Sequence, residues 1–431
     1  MSPQVIGMLG IVALIVLLVV RVPVALSMLA VGFVGNALIV SPSAALSRLG
    51  SDVFQQSAAY NLSVIPLFVF MGLLLANAGL GADLYRALDA FLWRMRGGLG
   101  VATVGAATLF GSVSGSAVAS ATTMSTVAVP EMRRYNYDPG HSAATAAVGG
   151  TLGSLIPPSA ALVLYGVLTE ESIGAILVAA IIPGLMTAGL VMLTAYLVVV
   201  LRPHLAPQKP ERPQTSKVTA IRLIWPVPVI FGISMGGLYA GVFTPTEAGS
   251  TGAFIALVYG VVTRRLKRQG FAYALSRTVR VSAFIFFLVI GGKVFGFFLT
   301  VTRVPRDLGR WVAASDLSPV LVLAIIFVIY FIMGALMDEL AILVIMTPIM
   351  YPIVIGLGYS GVWFGVLTIM MLLTGLLTPP VGLITFVVSG ITRVPLESVF
   401  RGVTPFWIAL AVAVMLVIMF PQISLYLLAT R

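Results

Sequence analysis

Two segments far apart in the chain, residues 153–158 and 375–380, share the pattern Gly-x-x-x-Pro-Pro inside an apolar run. Two successive prolines remove backbone donors and break a helix. The carbonyl oxygens freed by the break cannot be left facing lipid, and oxygen is the ligand atom that hard cations such as Na⁺ prefer. One such break alone indicates a packing kink. Two breaks with matching spacing favour a pair of cation sites.

Polar residues accompany the first break. Ser114 and Ser116 lie in the small-residue run 111–116, and Ser159 directly follows the first Pro-Pro pair. The N-terminus of the half-helix after a break carries a partial positive charge, which suits a carboxylate. These serines are therefore predicted to converge at the half-helix end.

Few charged residues lie within the apolar stretches. Asp338 and Glu339 are adjacent, and acids in such surroundings face a cavity or a partner unless they reach water at a hairpin tip. The sequence leaves three roles open for Lys293, which are pairing with an acid, contact with an anionic substrate, or extension of its amine to the membrane surface. Glu247, in the run Thr-Pro-Thr-Glu-Ala, is typical of an N-terminal helix cap.

The elements that position these residues must be membrane helices. Of the 431 residues, 59% are apolar and 9% are charged, against about 25% charged in a soluble domain. Many runs reach the roughly 20 apolar residues that span a bilayer. We therefore predict an all-α polytopic protein of the bacterial inner membrane.

Basic residues fall in the short loops between apolar runs and account for the net charge of +11. By the positive-inside rule these loops are cytoplasmic, which puts the N-terminus on the periplasmic side and argues against nucleic-acid binding. Segment 83–96 alternates charged and apolar residues at helical spacing, which predicts an amphipathic helix at the cytoplasmic interface. Cysteine is absent, so disulfides, thiolate catalysis and cysteine metal sites are excluded.

The two halves of the chain repeat the same order of elements. Basic residues flank both ends of the first candidate hairpin, which is therefore predicted to enter and leave the membrane on one side, and its counterpart is predicted to open from the other side. Paired interrupted segments in two inverted halves point to the midplane binding site of a secondary transporter. The first half, residues 1–201, is predicted to hold N-terminal scaffold helices, hairpin one at about 97–130 and a broken helix at about 141–166. A cytoplasmic linker at 202–221 follows. The second half, residues 222–431, is predicted to hold hairpin two at about 320–352 and a broken helix at about 362–392.

Five short pieces of sequence are weak signals singly and specific in combination. They are 149–159 with the following Tyr165-Gly166, then 113–116, 243–248, 374–383 and 394–406. Together they resemble the large membrane subunit of the TRAP (tripartite ATP-independent periplasmic) transporters, and the resemblance covers nearly the whole chain.

This resemblance implies an inverted-repeat, elevator-type fold similar to the ion transporter superfamily, in which a domain holding both hairpins moves against a scaffold. It implies two or more Na⁺ ions, one for each pair of hairpin and broken helix, and a substrate site near Ser116, Ser159 and Asp338. The Na⁺ ligands implied by motif match are Ser112, Ser114, Gly150, Gly153 and Pro157 at the first site and Gly334, Gly375, Thr378 and Pro379 at the second.

The resemblance also implies partners and a substrate class. The partners are a separate small four-helix membrane subunit and a periplasmic substrate-binding protein, and the substrates are small carboxylates such as dicarboxylates or sialic acids. Glu339 and Lys293 are not positions that the family pattern assigns.

Other functions are less well supported by the residues. An intramembrane hydrolase would need a buried Ser-His pair, which the sequence supports poorly, since His141 lies at a helix start and His204 in the polar central loop. No Gly-x-x-x-x-Gly-Lys-Ser/Thr loop occurs that would bind ATP. We therefore predict a transporter and not an enzyme. The alternative is a Na⁺- or H⁺-coupled anion transporter that works alone, without a binding protein.

Overall fold

The computed structural model of the protein describes residues 2–207, 215–315 and 317–429, so the part of the predicted linker at 208–214 lies outside the described residues. Within these ranges all regular elements are helical, as predicted. The α-helices are α1 (Pro3–Val19), α2 (Val24–Ile39), α3 (Pro42–Ser57), α4 (Val64–Asn77), α5 (Leu80–Leu92), α6 (Gly98–Ser114), α7 (Ala117–Arg134), α8 (Pro139–Thr151), α9 (Ala160–Thr169), α10 (Ile173–Ala179), α11 (Ile181–Leu201), α12 (Lys217–Ile224), α13 (Pro226–Tyr239), α14 (Pro245–Val262), α15 (Arg268–Thr302), α16 (Val304–Ala314), α17 (Pro319–Leu336), α18 (Glu339–Gly356), α19 (Gly361–Gly375), α20 (Leu383–Thr392), α21 (Leu396–Met419) and α22 (Gln422–Ala429).

Seven helical segments in the described ranges are long and apolar enough to cross a bilayer, which confirms a multi-pass membrane protein. The longest, α15, has 35 residues, or about 52 Å at 1.5 Å per residue. It is longer than a hydrocarbon core of about 30 Å, and its first part carries the arginines that need water. The seven segments are Tyr60–Asn77, Ile173–Leu201, Lys217–Tyr239, Arg268–Thr302, Pro319–Leu336, Glu339–Gly356 and Leu396–Met419.

Both predicted hairpin segments form helix–turn–helix pairs, and their entry and exit on one side of the membrane stay a prediction. Hairpin one (α6 and α7) turns at Gly115, whose φ of +64° is a conformation that glycine adopts without strain. Hairpin two (α17 and α18) turns at Met337 and Asp338. The second helix of each hairpin runs about one turn past its predicted end. In both hairpins the prediction stopped at a proline, Pro130 or Pro352, that lies inside the helix.

Both predicted helix breaks are also present. The first separates α8 from α9 and contains a short 3₁₀ turn at Leu152–Ser154, and the second separates α19 from α20. The Pro157–Pro158 and Pro379–Pro380 peptide bonds are both cis. Each half of the chain therefore presents a hairpin followed by an interrupted helix.

The predicted amphipathic helix corresponds to α5, which begins three residues before segment 83–96 and ends four residues before its end. Its buried face includes Asp83, which forms an ion pair with Arg265 from the loop between α14 and α15. The Arg265 guanidinium also donates a hydrogen bond to the Tyr259 hydroxyl at 3.4 Å. This cluster attaches α5 to the α14–α15 corner.

Helices α2 and α15 pack backbone to backbone. A Cβ atom on Gly32 would lie 2.8 Å from the Phe295 backbone nitrogen, and one on Gly291 would lie 2.6 Å from the Ala25 carbonyl oxygen. Small residues allow such close approach of membrane helices, where van der Waals packing replaces the hydrophobic effect as the driving force.

We expect Gly32→Ala and Gly291→Ala to destabilise the protein, because each added methyl group meets backbone atoms that cannot turn away. Overpacking of this kind costs about 1–3 kcal/mol. Thermal unfolding of the purified protein in detergent measures the effect. Gly232→Ala is the matched control, since a Cβ at Gly232 meets nothing within 4 Å. Equal melting temperatures for all three variants would contradict the proposed packing.

Candidate binding site at the hairpin tips

The tip of hairpin one closes on the first helix break. The Gly115 carbonyl accepts a hydrogen bond from the Ala160 N–H at 3.3 Å. A Cβ atom on Gly115 would lie 2.6 Å from the Pro158 carbonyl oxygen, so the two backbones touch here. We call this contact, formed by residues 111–116 and 152–160, the first seam.

Hairpin two closes on the second break in the same manner. The Ala335 carbonyl, near the tip, accepts a hydrogen bond from the Gly382 N–H at 3.3 Å. A Cβ atom on Gly375 would lie 2.6 Å from a carbonyl oxygen of α17. We call this contact, formed by residues 331–339 and 375–382, the second seam.

Ser154 joins the two seams. Its hydroxyl donates to Glu339 Oε1 at 2.6 Å and accepts from the Ala117 N–H at 3.0 Å. One buried side chain in the first break thus contacts the first turn of α7 and the first residue of α18. The sequence places Ser154 within the Gly-x-x-x-Pro-Pro pattern, but nothing in the pattern identifies a partner 185 residues away.

The three predicted substrate contacts occupy different environments. Ser159 is fully buried, donates to the Ser154 carbonyl at 2.5 Å and caps α9 by accepting from the Leu162 N–H at 3.3 Å. Asp338 caps α18 by accepting from the Leu340 N–H at 3.0 Å. Ser116 caps α7 and lines an open cavity. Of the three, Ser116 is therefore the one whose hydroxyl reaches a space large enough for a solute.

Hydroxyl groups line the first predicted Na⁺ site. Ser114 Oγ lies 3.0 Å from Ser120 Oγ, a residue that sequence reasoning missed. A Cβ on Gly153 would lie 2.6 Å from that same Ser120 oxygen, so Gly153 adjoins the pair. Ser112 Oγ donates to the Leu109 carbonyl at 2.8 Å.

The remaining residues of this predicted site belong to the break and its packing. Gly150 lies directly against Ala121 on α7. Pro157 has no N–H, so the carbonyl four residues upstream, that of Gly153, lacks its helical donor. The set therefore offers hydroxyl and carbonyl oxygens, which fit Na⁺ in donor chemistry.

The second predicted Na⁺ site also presents oxygen atoms. Gly334 and Gly375 are in contact, since a Cβ on Gly375 would lie 2.7 Å from the Gly334 Cα atom. Thr378 Oγ1 donates to the Thr374 carbonyl at 2.8 Å, and Pro379 begins the Pro-Pro pair. Across the three described ranges, no group of three or more His, Cys, Asp or Glu side chains is arranged to hold a metal ion. The residues predicted for both Na⁺ sites offer uncharged oxygens.

A cavity of about 400 Å³ lies beside the tip of hairpin one. It is bounded by the second half of α4, the first half of α15, the start of α7 and the start of α18. On the side of α4, Gly72 touches the tip directly, because a Cβ there would lie 2.6 Å from the Ser114 Cα atom. Sequence reasoning missed this wall, which includes Arg277 on α15.

A larger cavity of about 840 Å³ lies at the opposite ends of α4 and α9. Lys293 lines it and pairs with Glu170 at 3.1 Å. Of the three roles left open by the sequence, pairing with an acid is therefore the one seen in the structure. The pair connects α15 to the C-terminal end of α9. Glu247 also lines this cavity and accepts from the Thr244 N–H at 2.8 Å. It completes the predicted helix cap.

The sequence matches the profile of the family described as "Tripartite ATP-independent periplasmic transporter, DctM component" over residues 11–423. It is 32% identical to the C4-dicarboxylate TRAP transporter large permease protein DctM of Pseudomonas aeruginosa, across 90% of this chain and 91% of that protein. It is 31% identical to the sialic acid TRAP transporter large permease protein SiaM of Vibrio cholerae, with the same two coverages. The crystal structure of the YdaH transporter of Alcanivorax borkumensis shares the fold, with a TM-score of 0.66, 14% identity, and coverage of 98% of this chain and 100% of that one.

We expect Ser154→Ala to destabilise the protein, because it leaves the Ala117 N–H and a Glu339 oxygen buried without their partner. Each lost partner costs about 1–3 kcal/mol. Thermal unfolding in detergent is the measurement, and Ser43→Ala, which alters an exposed serine, is the control. Glu339→Gln keeps an acceptor for Ser154 and is expected to be milder. A Ser154→Ala variant as stable as Ser43→Ala would show that the two seams are not joined through this hydroxyl.

Proposed function

Because the chain belongs to the DctM component family of the tripartite ATP-independent periplasmic transporters, we propose that it is the large membrane subunit of a Na⁺-driven importer of small carboxylates. The role of large permease rests on the family match across residues 11–423. The substrate class follows relatives that are named for C4-dicarboxylates and for sialic acid. The single observation that supports Na⁺ coupling is the pair of seams, in each of which a hairpin tip meets a proline-broken helix.

Binding of Na⁺ at the first seam would join the hairpin to the break. Ser112 and Ser114 lie on α6, while Gly150, Gly153 and Pro157 belong to α8 and the break. A cation shared by oxygens from both sides favours the closed arrangement of the tip, since it binds that arrangement better than an open one. Substrate affinity then depends on Na⁺ through the position of the tip.

Na⁺ at the second seam would likewise join hairpin two to the second break. Gly334 belongs to α17, while Gly375, Thr378 and Pro379 lie at the break. Ser154 and Glu339 connect the two seams by a hydrogen bond of 2.6 Å, so that displacement of one tip disturbs the other. We infer that both ions act on one binding unit. Each positive charge that moves inward gains about 2.3 kcal/mol per 100 mV of membrane potential.

Transport requires the substrate site to open alternately to the two sides of the membrane. The cavities of about 400 Å³ and 840 Å³ lie at opposite ends of α4 and α9, which supports a mechanism in which the seams lie between two access routes. In an elevator mechanism the unit that holds both hairpins slides against helices such as α4 and α15. The cavity of 400 Å³ lies at the end of α15 that carries all three of its arginines, the end predicted to be cytoplasmic.

The assembly is proposed to contain two further proteins, a small membrane subunit and a periplasmic substrate-binding protein that delivers the carboxylate. The protein resides in the inner membrane, with the N-terminus on the periplasmic side. This orientation rests on the basic loops and the positive-inside rule.

Uptake into proteoliposomes tests the proposal. Vesicles holding this chain with its small subunit are expected to accumulate a labelled carboxylate only with an inward Na⁺ gradient and only when the cognate binding protein is present. Equal uptake with K⁺ in place of Na⁺ would refute Na⁺ coupling. Na⁺-driven uptake without the binding protein would instead identify a transporter that works alone.

We expect Gly375→Ala to raise the Na⁺ concentration for half-maximal uptake, because a Cβ there meets the backbone of α17 at 2.6 Å and separates the second seam. A tenfold rise corresponds to about 1.4 kcal/mol. Gly390→Ala on α20 is the matched control, since its Cβ meets nothing within 4 Å. An unchanged Na⁺ dependence in Gly375→Ala would remove the second seam from the coupling mechanism.

A further inference from the structure

Glu339, the first residue of α18, is a buried acid whose charge the proposed Na⁺ and substrate sites do not use. Three acidic side chains are buried in the described ranges, and the other two are Asp52 and Asp83. Asp52 pairs with Arg48, and Asp83 pairs with Arg265. Among the described residues Glu339 forms no ion pair. Its carboxyl group is therefore buried without the counter-charge that the other two acids have.

The two carboxyl oxygens of Glu339 have different surroundings. Oε1 accepts a hydrogen bond from the Ser154 hydroxyl at 2.6 Å. Oε2 is buried and has no hydrogen-bond partner in the described part of the chain. The preceding acid, Asp338, is only partly buried, and its carboxylate accepts from the Leu340 N–H at 3.0 Å. One oxygen of the buried acid thus lacks both a hydrogen-bond donor and a cation.

Titratable groups on the helices that pack against α18 leave this charge uncompensated. Helices α2 and α19 carry none. Tyr165 of α9 donates to a backbone carbonyl of α19, and Lys293 of α15 is already paired with another acid. Tyr273 and Arg277 of α15 share the cavity of about 400 Å³ with Glu339, and both of these side chains are exposed. The remaining titratable side chains on these helices are Arg268 and Arg280 of α15, Arg306, Asp307 and Arg310 of α16, Tyr330 of α17 and Tyr351 of α18.

An ionised carboxylate is costly in such surroundings. A buried charge without a partner costs far more than a buried neutral polar group, and acids inside membrane proteins are typical of proton pathways. A proton on Oε2 removes the charge without further ligands. A metal cation would need several oxygens around it. The geometry at Glu339 therefore favours a proton as the bound cation.

We propose that Glu339 binds a proton while the two seams are in contact, and that this proton is a further coupling ion of transport. The inference rests on the proposed function, because it takes the unit that holds both hairpins as the part that moves. Water in the cavity of about 400 Å³, whose wall includes Glu339, supplies the proton. An O–H bond forms at Oε2, and the proton returns to water when the contact with Ser154 opens.

The position of Glu339 on hairpin two gives the proton a direction. A proton bound there crosses the membrane together with the hairpin unit. At the end of α15 that is predicted to be cytoplasmic, the cavity lets Glu339 exchange its proton with water on that side. An inward proton gradient therefore adds to the inward Na⁺ gradient as a driving force.

Infrared spectroscopy of the purified full-length chain tests whether the proton is bound, and it needs no transport substrate. A protonated carboxyl group has a C=O stretching band that an ionised carboxylate lacks. At neutral pH, in NaCl and in a detergent without ester or carboxyl groups, the native protein is expected to show this band and Glu339→Gln to lose it. Glutamine keeps an oxygen that accepts from Ser154, so that the contact is retained. Glu397→Gln makes the same chemical change at an exposed acid of α21 and is expected to keep the band.

Uptake into proteoliposomes tests whether the proton drives transport. The vesicles hold the chain with its small subunit and the binding protein, and the probes are labelled succinate and labelled N-acetylneuraminate. With equal Na⁺ on both sides, an inward proton gradient is expected to drive accumulation by the native protein and by Glu397→Gln. This proton-driven component is expected to be lost in Glu339→Gln.

Three results would overturn the inference: no protonated-carboxyl band in the native protein, a band of equal intensity in Glu339→Gln, or proton-driven uptake that Glu339→Gln retains. The proposed function fails separately. Na⁺-driven uptake without any proton-driven component would retain the Na⁺-driven importer and reject the proton as a coupling ion. Loss of the band in Glu339→Gln, together with proton-driven uptake that ignores a Na⁺ gradient, would retain the proton site and reject Na⁺ coupling.

Discussion

The structure depends on one constraint: a helix that stops inside a membrane leaves backbone groups that lipid cannot satisfy. The chain stops two helices in this way, between α8 and α9 and between α19 and α20, and it brings a hairpin tip to each break. Gly115 accepts from the half-helix α9, and Ala335 accepts from the start of α20. The hairpins are therefore required by the breaks. Backbone oxygens and helix ends collect at these two places, and each of them needs a hydrogen-bond partner there.

Charged side chains are few, and three of their contacts connect parts of the chain that are distant in sequence. Glu339 reaches Ser154 in the other half, Asp83 reaches Arg265, and Lys293 reaches Glu170. A buried polar group without a partner is costly, so the contacts of the buried Glu339 and Asp83 restrict how the halves fit together. Arg277 is the contrast. It is exposed at the wall of the cavity of 400 Å³, so its charge does not require a protein partner.

The sequence was sufficient to predict the helical elements but not the contacts between them. Hydropathy, prolines and small-residue runs predicted the two hairpins, the two breaks and the cap at Glu247, because these depend on local chemistry. Hairpin ends were misjudged at Pro130 and Pro352, since a membrane helix tolerates a proline when neighbours supply other partners. Ser154 was missed, because its importance comes from packing across the chain. Only the structure shows that the Ser159 side chain is buried, while Ser116 lines a cavity.

The contact between α4 and hairpin one is made by backbone atoms and not by interlocking side chains. Where Gly72 meets the backbone at Ser114, neither surface carries a side-chain ridge. Interlocked side chains resist sliding, because each step along the interface must first disengage the ridges of one helix from the grooves of the other. A contact between two backbones has no such ridges and grooves to disengage. At this point the interface therefore offers no interlocked side chains that would resist displacement of the hairpin along α4.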